Sequence, residues 1–86
     1  MTEVELLQET SSCALVRRSS RRFPGLLVQG DTLRSLKGVA DGLLEELRSG
    51  DSEDAQYSAR ELQEGLGEFI AHYEAMMRAA GYELPY

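Results

Sequence analysis

The feature that most constrains the fold of this chain is a change in the spacing of its apolar residues near residue 30. Before that point, short apolar stretches are broken by polar residues, and Val4 and Leu6 alternate with charged neighbours. After it, apolar residues recur at three- and four-residue steps. Alternation is typical of strands and the longer period is typical of helices. The sequence therefore predicts a β-rich front and a helical back within 86 residues.

Three short strands are predicted in residues 1–30. The first contains Val4 and Leu6, which we expect on the buried side of a half-buried strand. The second covers residues 13–16, and the third covers residues 26–28 after a proline–glycine turn. Spacers this short favour an antiparallel meander.

The first helix is predicted over residues 31–49. Asp31 is a suitable cap for its start, and Gly50 can adopt the left-handed conformation past its end. We also expect Gly30 to occupy a left-handed turn position. One apolar stripe runs along the helix and consists of Leu33, Leu36, Ala40, Leu43, Leu44 and Leu47.

A second, long helix is predicted over residues 54–80, followed by a tail over 81–86 that docks Leu84. The helix would be roughly 40 Å long, whereas a compact domain of this size is only about 30 Å across. It therefore either overhangs its domain or breaks at Gly65 or Gly67. The predicted fold class is α+β, a three-stranded antiparallel meander followed by two helices, the second long, in a single domain over residues 1–86.

The overhang predicts a homodimer. The apolar stripe of the second helix continues through Met76 and Met77, beyond what the shorter first helix can cover. A second copy of the chain is the simplest cover. Tyr73, Met76 and Met77 are therefore predicted partner-binding residues.

The charge and composition of the chain exclude several classes of function. The net charge is −6, which argues against nucleic-acid binding, and the single cysteine excludes an intramolecular disulfide. The first residues lack the basic segment of a secretory signal, and no apolar run is long enough to span a bilayer. We expect a cytoplasmic protein with no membrane partner.

The sequence offers little catalytic chemistry. His72 has no second histidine or nearby cysteine with which to bind a metal, and Cys13 lies mid-strand, where a thiol is usually a buried apolar group. Three acidic residues at helical spacing are expected to form a solvated face: Glu61, Glu64 and Glu68. We expect no enzymatic activity, no cofactor and no metal.

Four arginines lie within six residues, in an otherwise acidic chain. They are Arg17, Arg18, Arg21 and Arg22. Guanidinium groups grip carboxylates or phosphates. The cluster is therefore a second predicted partner-binding site, and it leaves two alternatives open. It contacts protein carboxylates, or it binds RNA, DNA or a phosphate ligand.

The segment Phe23-Pro24-Gly25 followed by Gln29-Gly30-Asp31-Thr32-Leu33 resembles the strand-to-helix segment of HicB-type antitoxins. The resemblance implies a small sheet whose third strand feeds a helix, and an acidic surface that covers a basic RNA-cleaving toxin. The fourth strand and DNA-binding tail common in that family have no counterpart here. The whole chain also resembles a group of short, uncharacterised actinobacterial proteins. The predicted function is a non-catalytic protein–protein interaction domain, antitoxin-like in its sharpest form, with a basic protein as partner.

Overall fold

A computed structural model describes residues 3–86, in which a small sheet is followed by two helices. The elements are β1 (Val4–Glu9), β2 (Cys13–Arg18), β3 (Gly25–Val28), α1 (Gly30–Ser49) and α2 (Ser52–Ala79). The strands are antiparallel in the order β1-β2-β3. The predicted fold class, an antiparallel meander followed by two helices with the second longer, is confirmed.

The chain forms two compact units, which are described separately. The sheet unit contains residues 3–29 and Phe69–Tyr86, and the hairpin unit contains Gly30–Glu68. Helix α2 contributes to both, is 28 residues long and measures about 42 Å. It does not break at Gly65 or Gly67. The assignment of residues 1–86 to one domain stays a prediction.

The core of the sheet unit lies between the central strand β2 and the last turns of α2. Leu15 and Met77 are fully buried, and Cys13 and Met76 are buried beside them. The register places Leu15 opposite Leu26 on the same side of the sheet. The half-buried side chains that complete the cluster are Leu7, Phe23, Leu26, Phe69, Tyr73, Ala80, Tyr82 and Leu84.

The register of β1 against β2 decides which residues of β1 reach the core. The pairing with β2 shifts between Leu6 and Gln8, so Leu7 is an extra residue that packs against the core. Val4 and Leu6 lie on the opposite side and are more than half exposed. The prediction that Val4 and Leu6 form the buried side was wrong, because the pairing of Leu6 with Val16 turns Leu6 and Val4 to the side away from the core.

Gly81 ends α2 in the left-handed conformation. Its φ is 82°, and the Tyr82 N–H donates to the carbonyl of Met77 at 2.9 Å while the Gly81 N–H donates to that of Arg78 at 3.2 Å. This pair of bonds is a Schellman motif. The tail then folds back, and Leu84 packs against the core as expected.

The hairpin unit is built from α1 and the first part of α2, joined by two residues. Gly50 has a φ of 81° and closes α1 with a second Schellman motif. Asp51 caps α2, because its carboxylate accepts the Asp54 N–H at 3.1 Å. The two helices run antiparallel: Ser58 donates to the Glu46 carboxylate at 2.6 Å near the turn. Leu36 packs over Gly65 at the far end.

Two predictions at the start of α1 were wrong. Gly30 is the first residue of the helix and has no positive φ, so it is not a left-handed turn residue. Asp31 lies inside the first turn, where its carboxylate accepts only the N–H of the next residue, Thr32, at 2.9 Å. A capping side chain precedes the helix and reaches two or three residues ahead. Asp31 therefore supports the first turn without capping it.

Candidate functional site

The four clustered arginines do not form one patch. Arg17 lies opposite Glu5 and Arg18 opposite Val4 in the β1–β2 register. Successive strand residues point to opposite faces, so these two guanidinium groups leave the sheet on different sides. Arg22 stacks over the ring of Phe23, with its guanidinium carbon 5.3 Å from the ring centre.

Arg18 and Arg21 do share a site. Both line a shallow pocket of about 350 Å³ on the sheet, together with Val16, Phe23 and Leu27. Gly25 and Leu26 complete its lining. Within residues 3–86 the single ion pair is Lys37–Asp41, so neither guanidinium has a carboxylate within 4 Å. The pocket therefore combines two available positive charges with an apolar floor, which suits an anion that carries an apolar group.

The pocket opens onto an apolar face of the sheet. The register places Leu6 opposite Val16, and Ala14 opposite Leu27, on the side away from the core. We call this side the outer sheet face, and its exposed members are Val4, Leu6 and Leu27. Each is more than half exposed. The sheet is thus apolar on both sides, and only one side is covered within the sheet unit.

A larger apolar surface lies on the hairpin unit. Helix α1 has no buried residue in 20. Its exposed leucines are Leu33 at 65%, Leu44 at 50% and Leu47 at 61%, and α2 adds Leu66 at 47%. Together with Ala40 and Ala59 these four leucines form what we call the hairpin face.

The acidic residues of the hairpin unit lie elsewhere on its surface. Glu45, Glu61, Glu64 and Glu68 are all exposed, and the predicted solvated face of the second helix is confirmed. A residue advances about 100° around a helix, which places these four carboxylates on the side opposite the hairpin face. We call this the acidic side. The unit is therefore apolar on one side and negatively charged on the other.

The structure contradicts the premise of the prediction that Met76 and Met77 bind a partner. Met76 and Met77 are buried within the chain itself, since the sheet supplies the cover that the sequence reasoning sought in a second copy. Tyr73 is half-buried and donates a hydrogen bond to the carbonyl of Pro24 at 2.8 Å. Its phenol is engaged within the sheet unit, and burial raises the pKa of the Tyr73 hydroxyl.

The remaining residues with reactive or metal-binding side chains do not cluster. Cys13 is a buried free thiol, as expected, with Thr10 Oγ1 at 3.5 Å from its Sγ. His72 is half-buried. Among residues 3–86, no three histidine, cysteine or carboxylate side chains converge where a metal ion would fit. In the same part of the chain, no helix combines the length and the apolar character needed to cross a membrane.

Comparison with known proteins gives a family. A sequence profile described as a family of unknown function, DUF6959, matches residues 1–86. The chain belongs to this family. No curated protein and no solved structure is significantly similar to it.

The hairpin face was not recognised in the sequence, although its residues were. The sequence predicts one apolar stripe that contains Leu33, Leu44 and Leu47 together with Leu36 and Leu43. The structure divides that stripe: Leu36 and Leu43 are half-buried, whereas the other three leucines are exposed. The signal was the adjacent pair Leu43-Leu44, because two neighbouring positions widen the stripe beyond what one partner helix covers.

Proposed function

We propose that this protein is a non-catalytic protein–protein interaction domain that binds its partner through the hairpin face. The observation that carries the proposal is that α1 has no buried residue in 20 while four leucines of the hairpin unit are 47% to 65% exposed on one side. Contiguous apolar surface of this kind marks protein interaction sites on soluble chains.

The size of the apolar contribution indicates what kind of partner fits. Covering four half-exposed leucines contributes on the order of 4 kcal/mol. Association itself costs at least about 4 kcal/mol in lost motion. A small contact on one or two leucines therefore cannot hold a complex. The partner has to cover the full length of the face, as another helical surface does.

An antitoxin-like role is a second form of the proposed interaction function, and it would use the acidic side instead of the hairpin face. The acidic side, with Glu45, Glu61, Glu64 and Glu68, is complementary in charge to a basic protein such as an RNA-cleaving toxin. The resemblance of residues 23–33 to the strand-to-helix segment of HicB-type antitoxins favours this form. Purified protein should then bind a basic partner more weakly as salt rises, and neutral Gln substitutions on the acidic side should reduce the affinity.

A photo-crosslinking amino acid tests the general proposal. Placed at Leu47 in the cells that produce the protein, it should give a discrete adduct with a protein, identified by mass spectrometry. Placed at Tyr57, which is 70% exposed but lies on the acidic side of α2, it should not give the same adduct. The Leu47 adduct should also disappear when Leu44→Glu is added. Absence of any Leu47-specific protein adduct would refute the proposal.

A second function is favoured by the pocket between Arg18 and Arg21. Its two free guanidinium groups over an apolar floor support binding of a phosphate or carboxylate ligand, or of nucleic acid. Titration with inorganic phosphate and with single-stranded RNA, followed by backbone NMR shifts of β2 and β3, tests this alternative. Arg18→Ala/Arg21→Ala should abolish the shifts, and Arg17→Ala/Arg22→Ala should retain them. RNA binding that persists at physiological salt would favour this function over the first.

A further inference from the structure

We infer that the partner of the hairpin face is a second copy of this chain, so that two hairpin units pack face to face as a four-helix bundle. The inference rests on the proposed function and names the occupant of that same surface. It replaces a dimer through Met76 and Met77, which are buried within one copy.

Both helices of the hairpin unit present their exposed leucines to the same side. Two contacts define the side on which each helix meets the other. Leu36 packs over Gly65, and Ser58 donates a hydrogen bond to Glu46. At about 100° per residue, the exposed leucines of α1 lie roughly a quarter turn from that side. Leu66 lies a quarter turn from it on α2, in the same rotational sense along its own axis. Because the helices are antiparallel, equal rotations bring both stripes to one side of the hairpin.

The hairpin face is also large enough for one side of a dimer interface. Two adjacent helices about 10 Å wide and 25 to 30 Å long offer a face of roughly 500 to 600 Å² in projection. The accessible surface of a corrugated face is larger than its projection, and a stable complex buries about 800 Å² per partner. Two such faces bury roughly 1,000 to 1,200 Å² in total by projection alone, which reaches the lower limit of about 1,000 Å² for a specific interface. Pairs of helical hairpins with apolar inner faces form four-helix bundles.

The distribution of charge on the hairpin unit also favours a second copy as the partner. A chain with a net charge of −6 repels its own copy unless the contact avoids its carboxylates. The glutamates of the acidic side point away from the hairpin face. At its edge, Lys37 is neutralised by Asp41 at 2.6 Å, and Gln56 and Gln63 are uncharged. Arg48 lies on the same edge of α1 as Lys37 and adds no negative charge. Two hairpin faces therefore meet without bringing their carboxylates together. A basic partner, by contrast, is matched by the acidic side and not by this face.

Light scattering on the purified protein tests the inference. Wild type should have about twice the protomer mass of 9.6 kDa at high micromolar concentration. Leu44→Glu/Leu47→Glu should halve the mass, and Tyr57→Glu, the same change on the acidic side, should leave it at the dimer value. Circular dichroism of each variant should retain the wild-type helix content, because all three positions are exposed.

Photo-crosslinking of the purified protein covers the case in which the double variant does not fold. A crosslinker at Leu44 should give a covalent dimer joined through residues of the hairpin face, whereas one at Tyr57 should not. A wild type that remains monomeric, or a dimer that survives Leu44→Glu/Leu47→Glu with its fold intact, would overturn the inference. If the cellular Leu47 adduct contains only a different protein, the second copy is excluded while the proposed interaction function stands.

Discussion

The hydroxyl of Tyr73 donates a 2.8 Å hydrogen bond to the backbone carbonyl of Pro24, 49 residues earlier in the chain. Pro24 is buried and precedes β3, and Tyr73 lies on the part of α2 that packs against the sheet. The bond therefore ties the turn before β3 to the helix that completes the core.

Removing this hydroxyl should destabilise the sheet unit. Tyr73→Phe leaves a buried carbonyl without its donor, so the free energy of unfolding should fall by about 1 to 2 kcal/mol in urea denaturation. Tyr57→Phe is the matched control, because Tyr57 is exposed, and it should change the stability little. Equal effects of the two substitutions would show that the bond does not contribute.

The same tyrosine predicts a pH dependence. Burial raises the pKa of Tyr73 in the folded protein above the ordinary value of about 10. A raised pKa means that the folded state holds the Tyr73 proton more tightly than the unfolded state does. The stability that comes from the protonated Tyr73 is therefore complete below about pH 10 and is lost as pH rises through the pKa of the folded state. The free energy of unfolding should decline in that window. The decline should be shallower in Tyr73→Phe.

Two glycines next to α1 should respond differently to alanine. A Cβ added at Gly50 or Gly30 meets no atom within 4 Å, so the two sites differ in backbone conformation and not in space. Gly50 has a φ of 81°, whereas Gly30 has no positive φ. Gly50→Ala should therefore lower the free energy of unfolding by about 1 to 2 kcal/mol. Gly30→Ala, measured in the same thermal denaturation, should have no effect or be mildly stabilising.

Two aspartates near the helix starts form a second matched pair. Asp51→Ala removes the side chain that caps α2 and should cost about 1 kcal/mol. Asp31→Ala removes only a first-turn carboxylate and should cost a few tenths of a kcal/mol. Asp51 also raises the pKa of Asp54, through a hydrogen bond and its negative charge. Titration by NMR should show the pKa of Asp54 falling towards its ordinary value in Asp51→Ala. An unchanged pKa would contradict the interaction between Asp51 and Asp54.

Replacing the buried Met77 by alanine should destabilise the protein more than replacing an exposed leucine. Met77 is fully buried against the sheet, so Met77→Ala should cost about 2 to 5 kcal/mol. Leu27→Ala on the outer sheet face should cost less than about 1 kcal/mol in the same denaturant titration, because Leu27 is more than half exposed. A small effect at Met77 would mean that the helix does not pack on the sheet as described.

The elements of this fold were predictable because their signals are local. Gly50 and Gly81 end their helices wherever the helices pack, since the left-handed conformation is a property of the residue itself. The proline–glycine turn and the short spacers likewise indicated the third strand and the antiparallel order. Local signals misled in β1, where the alternation of Val4 and Leu6 indicated the buried side, and at the start of α1, where Gly30 and Asp31 indicated a turn and a cap that the helix does not use.

The amino-acid sequence by itself determined the number, type and order of the elements, but tertiary structure alone decided which apolar residues are covered. A period of two or of about 3.6 places residues on one face without saying what meets that face. The β1–β2 register places Leu7 on the core side and Leu6 on the other, the sheet covers Met76 and Met77, and the register assigns Arg18 to the outer sheet face. Each outcome depends on contacts between segments far apart in the chain. The exposed surfaces, and with them the candidate sites, therefore became visible only in the folded protein.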